Sequence, residues 1–406
     1  MSQLKGNVVV GQSGGPTCVI NSSLIGLIRE AAQHDALSGI YGALHGVQGI
    51  LREELIDLRQ EKATTLDAVA KTPAAGLGSV RKKPTTEDCE RILEVFKAHD
   101  VRYFFYIGGN DTSETAHIVH EMATRDGYEM RLFHVPKTID NDLMVTDHCP
   151  GFGSAARFVA HAVMGDNLDN RSLPGIKIDV VMGRHAGFLT AASVLARQHE
   201  DDGPHLIYVP ERVFSMERFL EDVATVYERL GRCVIAVSEG IHDAQGKLIV
   251  QSSEVDSHGN VQLSGSGALG DLLANVVREK LESRFGKLRV RADTFGYLQR
   301  SFPSFASDVD LREAEEAGRA AVRAAMSGKH LHGSIAIRRH EGDRYSSECF
   351  VTSLESVAGK TKTLADDFIE GDNDITPAFV DYVRPLVGEL FQTARFEGHR
   401  VPKKLT

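Results

Sequence analysis

The chain has 406 residues, with 46 Lys and Arg against 56 Asp and Glu, for a formal net charge of −10. That length exceeds most single cores and predicts two domains of roughly 150–200 residues, and the acidic balance excludes nucleic-acid binding as a bulk property, so any phosphate must be held by local clusters of cations. No window approaches the roughly 18–20 apolar residues of a membrane span; no signal-peptide pattern opens the chain, and five scattered cysteines without a C-x-x-C pair point to reduced thiols and a cytoplasmic protein.

In chain order, Val8-Val9-Val10 is a short buried strand that runs into the loop Gly14-Gly15-Pro16, and Asn21 to Ala32 reads as a helix with Leu24, Ile25, Leu27 and Ile28 inward. This is a phosphate loop only in the broad sense, since no G-K-[ST] follows. Residues 40–60 carry Gly42, Gly46 and Gly49 around short apolar pairs, a pattern that fits a strand or a helix. Gly76 to Pro84 is a glycine-loosened loop that delivers Arg81, Lys82 and Lys83, the last two read as a solvated run. A helix follows from Thr86 to about His99, with Glu87 and Asp88 in its first turn.

Two blocks then close off apolar runs. Val101 to Ile107 is the signature of a strand buried on both faces, and it ends in Gly108-Gly109-Asn110-Asp111-Thr112. The glycines let backbone approach a ligand, and Thr112 is expected to cap the next helix, which sets Asn110 and Asp111 at a helix N-terminus that favours anions. His117 and His120 share a face of that helix and read as ordinary surface. After the strand Leu132 to Val135, Lys137, Asp140 and Asp142 form a cluster suited to phosphoryl transfer: one carboxylate takes a hydroxyl proton, another helps hold magnesium, and the amine offsets phosphoryl charge. The competing reading is a charged surface turn.

Farther on, Gly151-Phe152-Gly153-Ser154-Ala155-Ala156 and Gly265 to Gly270 match dinucleotide fingerprints, but neither follows a convincing strand; the second reads as a loose loop before a helix at Asp271 to Leu281. Ile176 to Val181 is a strand that delivers Met182-Gly183-Arg184-His185 at its carboxyl end, where α/β sheets keep ligands. Strands at Leu206 to Val209 and Cys233 to Ser238 flank a capped helix from Ser215 to Leu230. Ser238 is no nucleophile elbow, because Ala236 breaks G-x-S-x-G. Arg291, Tyr297 and Arg300 come from one extended segment, and Arg300 is the stronger phosphate ligand of the two arginines. A helix at 311–327, strands near 334–338 and 348–353, and a last helix near 376–394 complete the chain without a functional reading.

Five of these motifs, Gly14-Gly15, Gly108-Gly109-Asn110-Asp111-Thr112, Pro136 to Asp142, Met182-Gly183-Arg184 and Arg291 to Arg300, together resemble the phosphofructokinase family over about residues 6–325. The resemblance implies an α/β fold of two Rossmann-like doubly wound domains with the active site between them: 1–150 plus about 300–355 for the phosphoryl donor, and 151–299 plus about 356–406 for the sugar phosphate. It also implies Asp140 as general base, and Arg81 and Lys137 on the transferring phosphoryl. Gly14 and Gly15 would contact the donor, and Thr138, Met182, Gly183, Arg184, Glu239, Tyr297, Arg300 and Arg291 would hold the sugar. Magnesium is the implied cofactor and a homo-oligomer, dimer or tetramer, the implied assembly.

Departures from the pattern are informative. Asp111 and Lys137 replace two glycines of ATP-using relatives, which marks users of inorganic diphosphate. Physically, a carboxylate and an ammonium occupy the room of a nucleotide tail, and Asp111 repels an α-phosphate by several kcal/mol, as ~332/(εr) at ε of about 20 indicates. The expected reaction is therefore phosphoryl transfer from diphosphate to fructose 6-phosphate. Asn110 stands at the family's magnesium aspartate, so the metal would rest on its carbonyl oxygen, on Asp111 or on Asp142. Tyr297 replaces a histidine, and Gly175 an arginine that reaches a neighbouring subunit's sugar phosphate, with Lys177 as a substitute. The alternatives are ATP as donor, another acceptor such as sedoheptulose 7-phosphate, and a non-catalytic sugar-phosphate sensor.

Overall fold

A computed structural model describes residues 4–250 and 267–405. In chain order the first half runs β1 Gly6–Gln12, α1 Ile20–Ala31, β2 Leu37–Ala43, α2 Val47–Arg52, β3 Leu55–Asp57, α3 Ala63–Ala70, α4 Thr86–Ala98, β4 Val101–Gly108, α5 Asn110–Arg125 and β5 Arg131–Pro136. It continues with α6 Phe152–Ser172, β6 Ile176–Val181, α7 Phe188–Ala192, β7 Leu206–Tyr208, α8 Met216–Leu230, β8 Cys233–Ser238, α9 Ala268–Phe285, β9 Val290–Thr294 and α10 Leu298–Ser301. The chain closes with α11 Asp308–Met326, β10 His332–Arg339, β11 Ser347–Thr352, α12 Leu354–Val357, β12 Ile369–Glu370, β13 Asp374–Ile375 and α13 Pro377–Val387.

Two main sheets result. The seven-stranded sheet has the order β11-β10-β5-β4-β1-β2-β3, parallel at its centre with antiparallel edges β11 and β3. The four-stranded sheet, β7-β8-β6-β9, is parallel throughout. Strand periodicity explains why each is covered twice. In β1 and β4, Val8, Val10, Tyr103, Phe105 and Ile107 pack with α1 and α11, whereas Val9, Phe104 and Tyr106 pack with α4 and α5. In the second sheet Val181, Val234 and Ala236 face α6, α7 and α13, while Ile178, Val180, Ile235 and Val237 face α8 and α9. Both sheets are thus doubly wound, as the buried apolar runs predict.

Several local expectations change. Helix α5 begins two residues before Thr112, because Gly109 in extended conformation is its N-cap; Thr112 lies inside the first turn and caps nothing. Residues 40–60 resolve into the end of β2, α2, β3 and a short 3-10 turn. Arg291, Tyr297 and Arg300 do not share an extended segment: Arg291 is on β9, Tyr297 precedes α10 and Arg300 is within it. Helix α9 opens at Ala268, behind Gly267 at φ 63, while Gly265 and Ser266 lie outside the described residues. Helix α13 stops at Val387 because Gly388 adopts φ 70. The fingerprint at Gly151 opens α6 from a turn, as its missing strand foretold. All five cysteines are unpaired, and among the described residues no helix is long and apolar enough to cross a membrane.

Candidate active site

The carboxyl ends of β1, β4, β5, β6 and β8 meet at one cleft of about 370 Å³. Ser13, Gly14 and Gly15 follow β1; Asn110 and Asp111 open α5 after β4; Lys137 to Asp140 and Asp142 follow β5. From the other sheet come Met182, Arg184 and His185 after β6 and Glu239 after β8, and Arg300 reaches in from α10. Arg81 enters from the loop before α4, which is anchored by Gly14 N–H donating to Val80 O (3.0 Å) and Ser79 Oγ donating to Gly14 O (2.6 Å). Crossing of this kind at strand carboxyl ends follows from parallel sheets, whose loops all leave on one side.

One end of the cleft is cationic. Lys137 is 3 % exposed, and its Nζ donates to Gly15 O at 2.7 Å. Burial, then the neighbouring Arg300 and Arg81, push its ammonium down to about 7. Arg300 is lowered too, by burial and then by Arg81. The glycine pair makes this crowding possible: a Cβ on Gly14 would lie 3.2 Å from Lys137 Nζ, and one on Gly15 would lie 3.0 Å from Arg300 Cζ. Gly14 also sits at φ 77, where side chains are disfavoured. Gly14 and Gly15 thus seat two cations as well as facing any ligand.

The other end gathers carboxyl groups. Asp140 is raised by burial and by Glu239, and Asp142 is raised to about 6 by burial and by Asp140. Thr138 Oγ1 accepts from Asp140 N–H (3.1 Å), which sets the turn. Asn110 Nδ2 donates to Asp142 Oδ2 at 3.1 Å, and Asn110 Oδ1 is buried without a hydrogen-bond partner. An orphaned buried carbonyl oxygen beside Asp142 and Asp111 is an all-oxygen donor set, which suits a hard divalent cation.

The cleft brings together most of the residues expected from sequence. Gly183 is not in its wall; at φ 141 it makes the turn, and its carbonyl accepts from Ser238 Oγ at 2.6 Å. Tyr297 is 49 % exposed and stacks on the Arg300 guanidinium (4.7 Å to the ring centre), so it braces Arg300 from outside the wall. Arg291 is exposed on β9, away from the wall, and donates to Val290 O. Lys177, offered as a substitute for the arginine missing at Gly175, pairs its ammonium with Asp166 and Asp293. Lys82 and Lys83 pair with Asp88 and Glu114.

Sequence reading missed three contributors. Gln299 Oε1 accepts from Met182 N–H at 3.3 Å and so fixes the turn after β6. Gly359 and Thr361 form part of the wall from the far C-terminal segment. No periodic pattern marks such positions; only the glycine and threonines of Gly359-Lys360-Thr361-Lys362-Thr363 hinted at a loop.

Comparison with known proteins agrees with this geometry. The family model described as Phosphofructokinase matches residues 7–325. The Pyrophosphate--fructose 6-phosphate 1-phosphotransferase of Rhodospirillum rubrum is 54 % identical over 407 residues, covering 99 % of each chain. The protein of that name from Xanthomonas campestris is 40 % identical over 94 % of this chain and 91 % of its own. The crystal structure of a pyrophosphate-dependent phosphofructokinase from Marinobacter aquaeolei is 35 % identical, with a TM-score of 0.83 over 99 % of this chain and 98 % of that one.

Proposed function

The chain belongs to the phosphofructokinase family, and we propose that it is the diphosphate-dependent form: it moves a phosphoryl group reversibly between inorganic diphosphate and the 1-hydroxyl of fructose 6-phosphate, giving fructose 1,6-bisphosphate and phosphate. One observation carries the donor assignment. Asp111 and the buried Lys137 both line the cleft, in the positions where ATP-using relatives have glycine. The names and full-length coverage of the relatives support the same reading.

Each half of the cleft then has a task. Gly14, Gly15, Arg81 and Lys137 surround the donor, where Lys137 and Arg81 match the charge of a diphosphate, and Arg300, read from the sequence as a sugar-phosphate ligand, stands beside both cations at the border of the two halves. Thr138, Met182, Arg184 and Glu239 hold the sugar phosphate, on the turn made by Gly183, and Tyr297 braces Arg300 beside them. Asp140 takes the proton of the attacking hydroxyl as its oxygen bonds to phosphorus and the bond to the bridging oxygen breaks, releasing phosphate. The raised proton affinity of Asp140 fits a base, since a carboxylate buried beside Glu239 gains from accepting a proton. Asn110, Asp111 and Asp142 would hold magnesium, which when bound neutralises charge on the diphosphate oxygens.

We assign the seven-stranded sheet with α11 to a donor domain, residues 1–150 plus about 300–355, and the four-stranded sheet with α13 to a sugar domain, 151–299 plus about 356–406. Free thiols support a cytoplasmic setting, and the family resemblance supports a homo-oligomer, dimer or tetramer. The deciding experiment is a steady-state assay with fructose 6-phosphate and magnesium, with diphosphate against ATP. Diphosphate should turn over and ATP should not; the reverse result removes the donor assignment. Asp111→Gly with Lys137→Gly should then admit ATP, and inert ATP would show that space alone does not set donor choice.

A further inference from the structure

The loop Asp140–Asp147 carries the base and a carboxylate of the metal set, yet its backbone is not self-supporting. Asn141 sits at φ 58 and Val145 at φ 71, a left-handed conformation that is an outlier for a β-branched residue. Such a loop persists only where its surroundings over-determine it, and here much of the support comes from the C-terminal segment, for which the sequence offered no role.

Two residues do this. Lys362, between α12 and α13, donates its backbone N–H to Asp142 O (2.7 Å) and its Nζ to Thr146 O (3.0 Å) and Asp147 O (2.9 Å), with the ammonium 5.2 Å from the Phe188 ring centre. It therefore ties the start of the loop to its end. Tyr382, on α13, accepts from Asn141 Nδ2 (2.8 Å) and donates to Asp147 O (2.9 Å). Asn141 is fully buried, and its Oδ1 accepts from Cys149 N–H at 2.9 Å, so the left-handed residue is held from two sides. The same segment places Gly359 and Thr361 in the cleft wall. A half-buried lysine is a costly way to tie a loop, and its cation has only main-chain carbonyls as hydrogen-bond partners among the described residues.

We propose that the C-terminal segment is a clamp on the phosphoryl-transfer loop, with Lys362 and Tyr382 as positioning residues that fix Asp140 and Asp142 against the donor. The proposal rests on the reaction assigned above for its kinetic consequence and on the hydrogen bonds alone for its structural one. Neither Lys362 nor Tyr382 lines the cleft itself, so their effect is separable from substrate contact.

The test uses the full chain with Lys362→Met and Tyr382→Phe, measured in two ways. With diphosphate, fructose 6-phosphate and magnesium, kcat should fall roughly ten- to hundredfold, while KM for fructose 6-phosphate stays within about twofold because three of its four assigned ligands, Met182, Arg184 and Glu239, stand on the other sheet and only Thr138 adjoins the loop. The magnesium concentration for half-activation should rise. Amide hydrogen exchange should quicken over residues 138–149 in both variants, and this readout needs no activity. Unchanged exchange and unchanged kcat in Tyr382→Phe overturn the clamp. If Lys362→Met does not fold, Tyr382→Phe decides, since it removes one hydroxyl and keeps the ring. A wild type inert with diphosphate sinks the assigned reaction instead, and the exchange data then judge the clamp alone.

Discussion

The two halves of the cleft, proposed to hold the donor and the sugar, are built on opposite physical plans. On the donor side Lys137, Arg300 and Arg81 crowd like charges around a glycine pair, and burial plus mutual repulsion lowers the proton affinity of Lys137 and Arg300. On the sugar side the framework is hydrogen-bonded in advance: Gln299 holds Met182, Ser238 holds Gly183, and Glu239 N–H donates to Val181 O at 2.9 Å. The difference teaches how each ligand is recognised. A polyanion relieves repulsion already stored among the cations, whereas a sugar phosphate meets groups whose geometry is settled before it arrives. Asp140 stands where the two plans meet, its proton affinity raised by burial and Glu239 and restrained by Arg300.

That contrast can be broken most sharply at the meeting point. Asp140→Ala should lower kcat by roughly 10²–10⁴-fold with sugar-phosphate affinity nearly intact, read by steady-state kinetics and by calorimetric binding of fructose 6-phosphate; undiminished turnover removes the base assignment. Next in size, Lys137→Met should lower kcat/KM for diphosphate by roughly ten- to 150-fold, the loss of a charge-assisted hydrogen bond of about 1.5–3 kcal/mol. KM for fructose 6-phosphate should hardly move. Equal damage to both substrates would mean that the two halves are not separate.

The pH profile sharpens the same point. Asp140 must be ionised to take the proton, and burial with Glu239 raises it, so kcat/KM for diphosphate should rise with pH as Asp140 ionises above the ordinary carboxylate range. Lys137 must be protonated to attract the donor, so the profile should fall again as pH climbs past about 7. Lys137→Arg should remove this alkaline fall, because a guanidinium does not titrate there; a fall that survives would assign it to another group. The smallest effect is expected at Gly14→Ala. A side chain at φ 77 costs about 1–2 kcal/mol, or roughly 2–8 °C in Tm, and the added Cβ presses on Lys137 Nζ. Diphosphate binding should weaken while sugar binding does not.

The strands and the residues at their carboxyl ends were legible in the sequence because those features are local. Val101 to Ile107 could only be a strand buried on both faces, and the turn at Lys137 to Asp142 could be read as a cluster before any fold was known. Boundaries were less so: Thr112 has the chemistry of a cap, but Gly109 has the conformation and takes the position. The apolar runs and their glycine-rich ends marked strands buried on both faces and most of the groups facing the cleft, and the motifs in order carried the family resemblance that implied the doubly wound architecture. Only the tertiary structure decided that Lys137 is desolvated against Gly15, that Arg291 lies away from the wall, that Lys177 is spent on Asp166 and Asp293, and that Lys362 and Tyr382 grip the loop of Asp140 from more than 200 residues away. Periodicity records which face a residue presents, whereas desolvation and long-range hydrogen bonds depend on what the rest of the chain brings to that face.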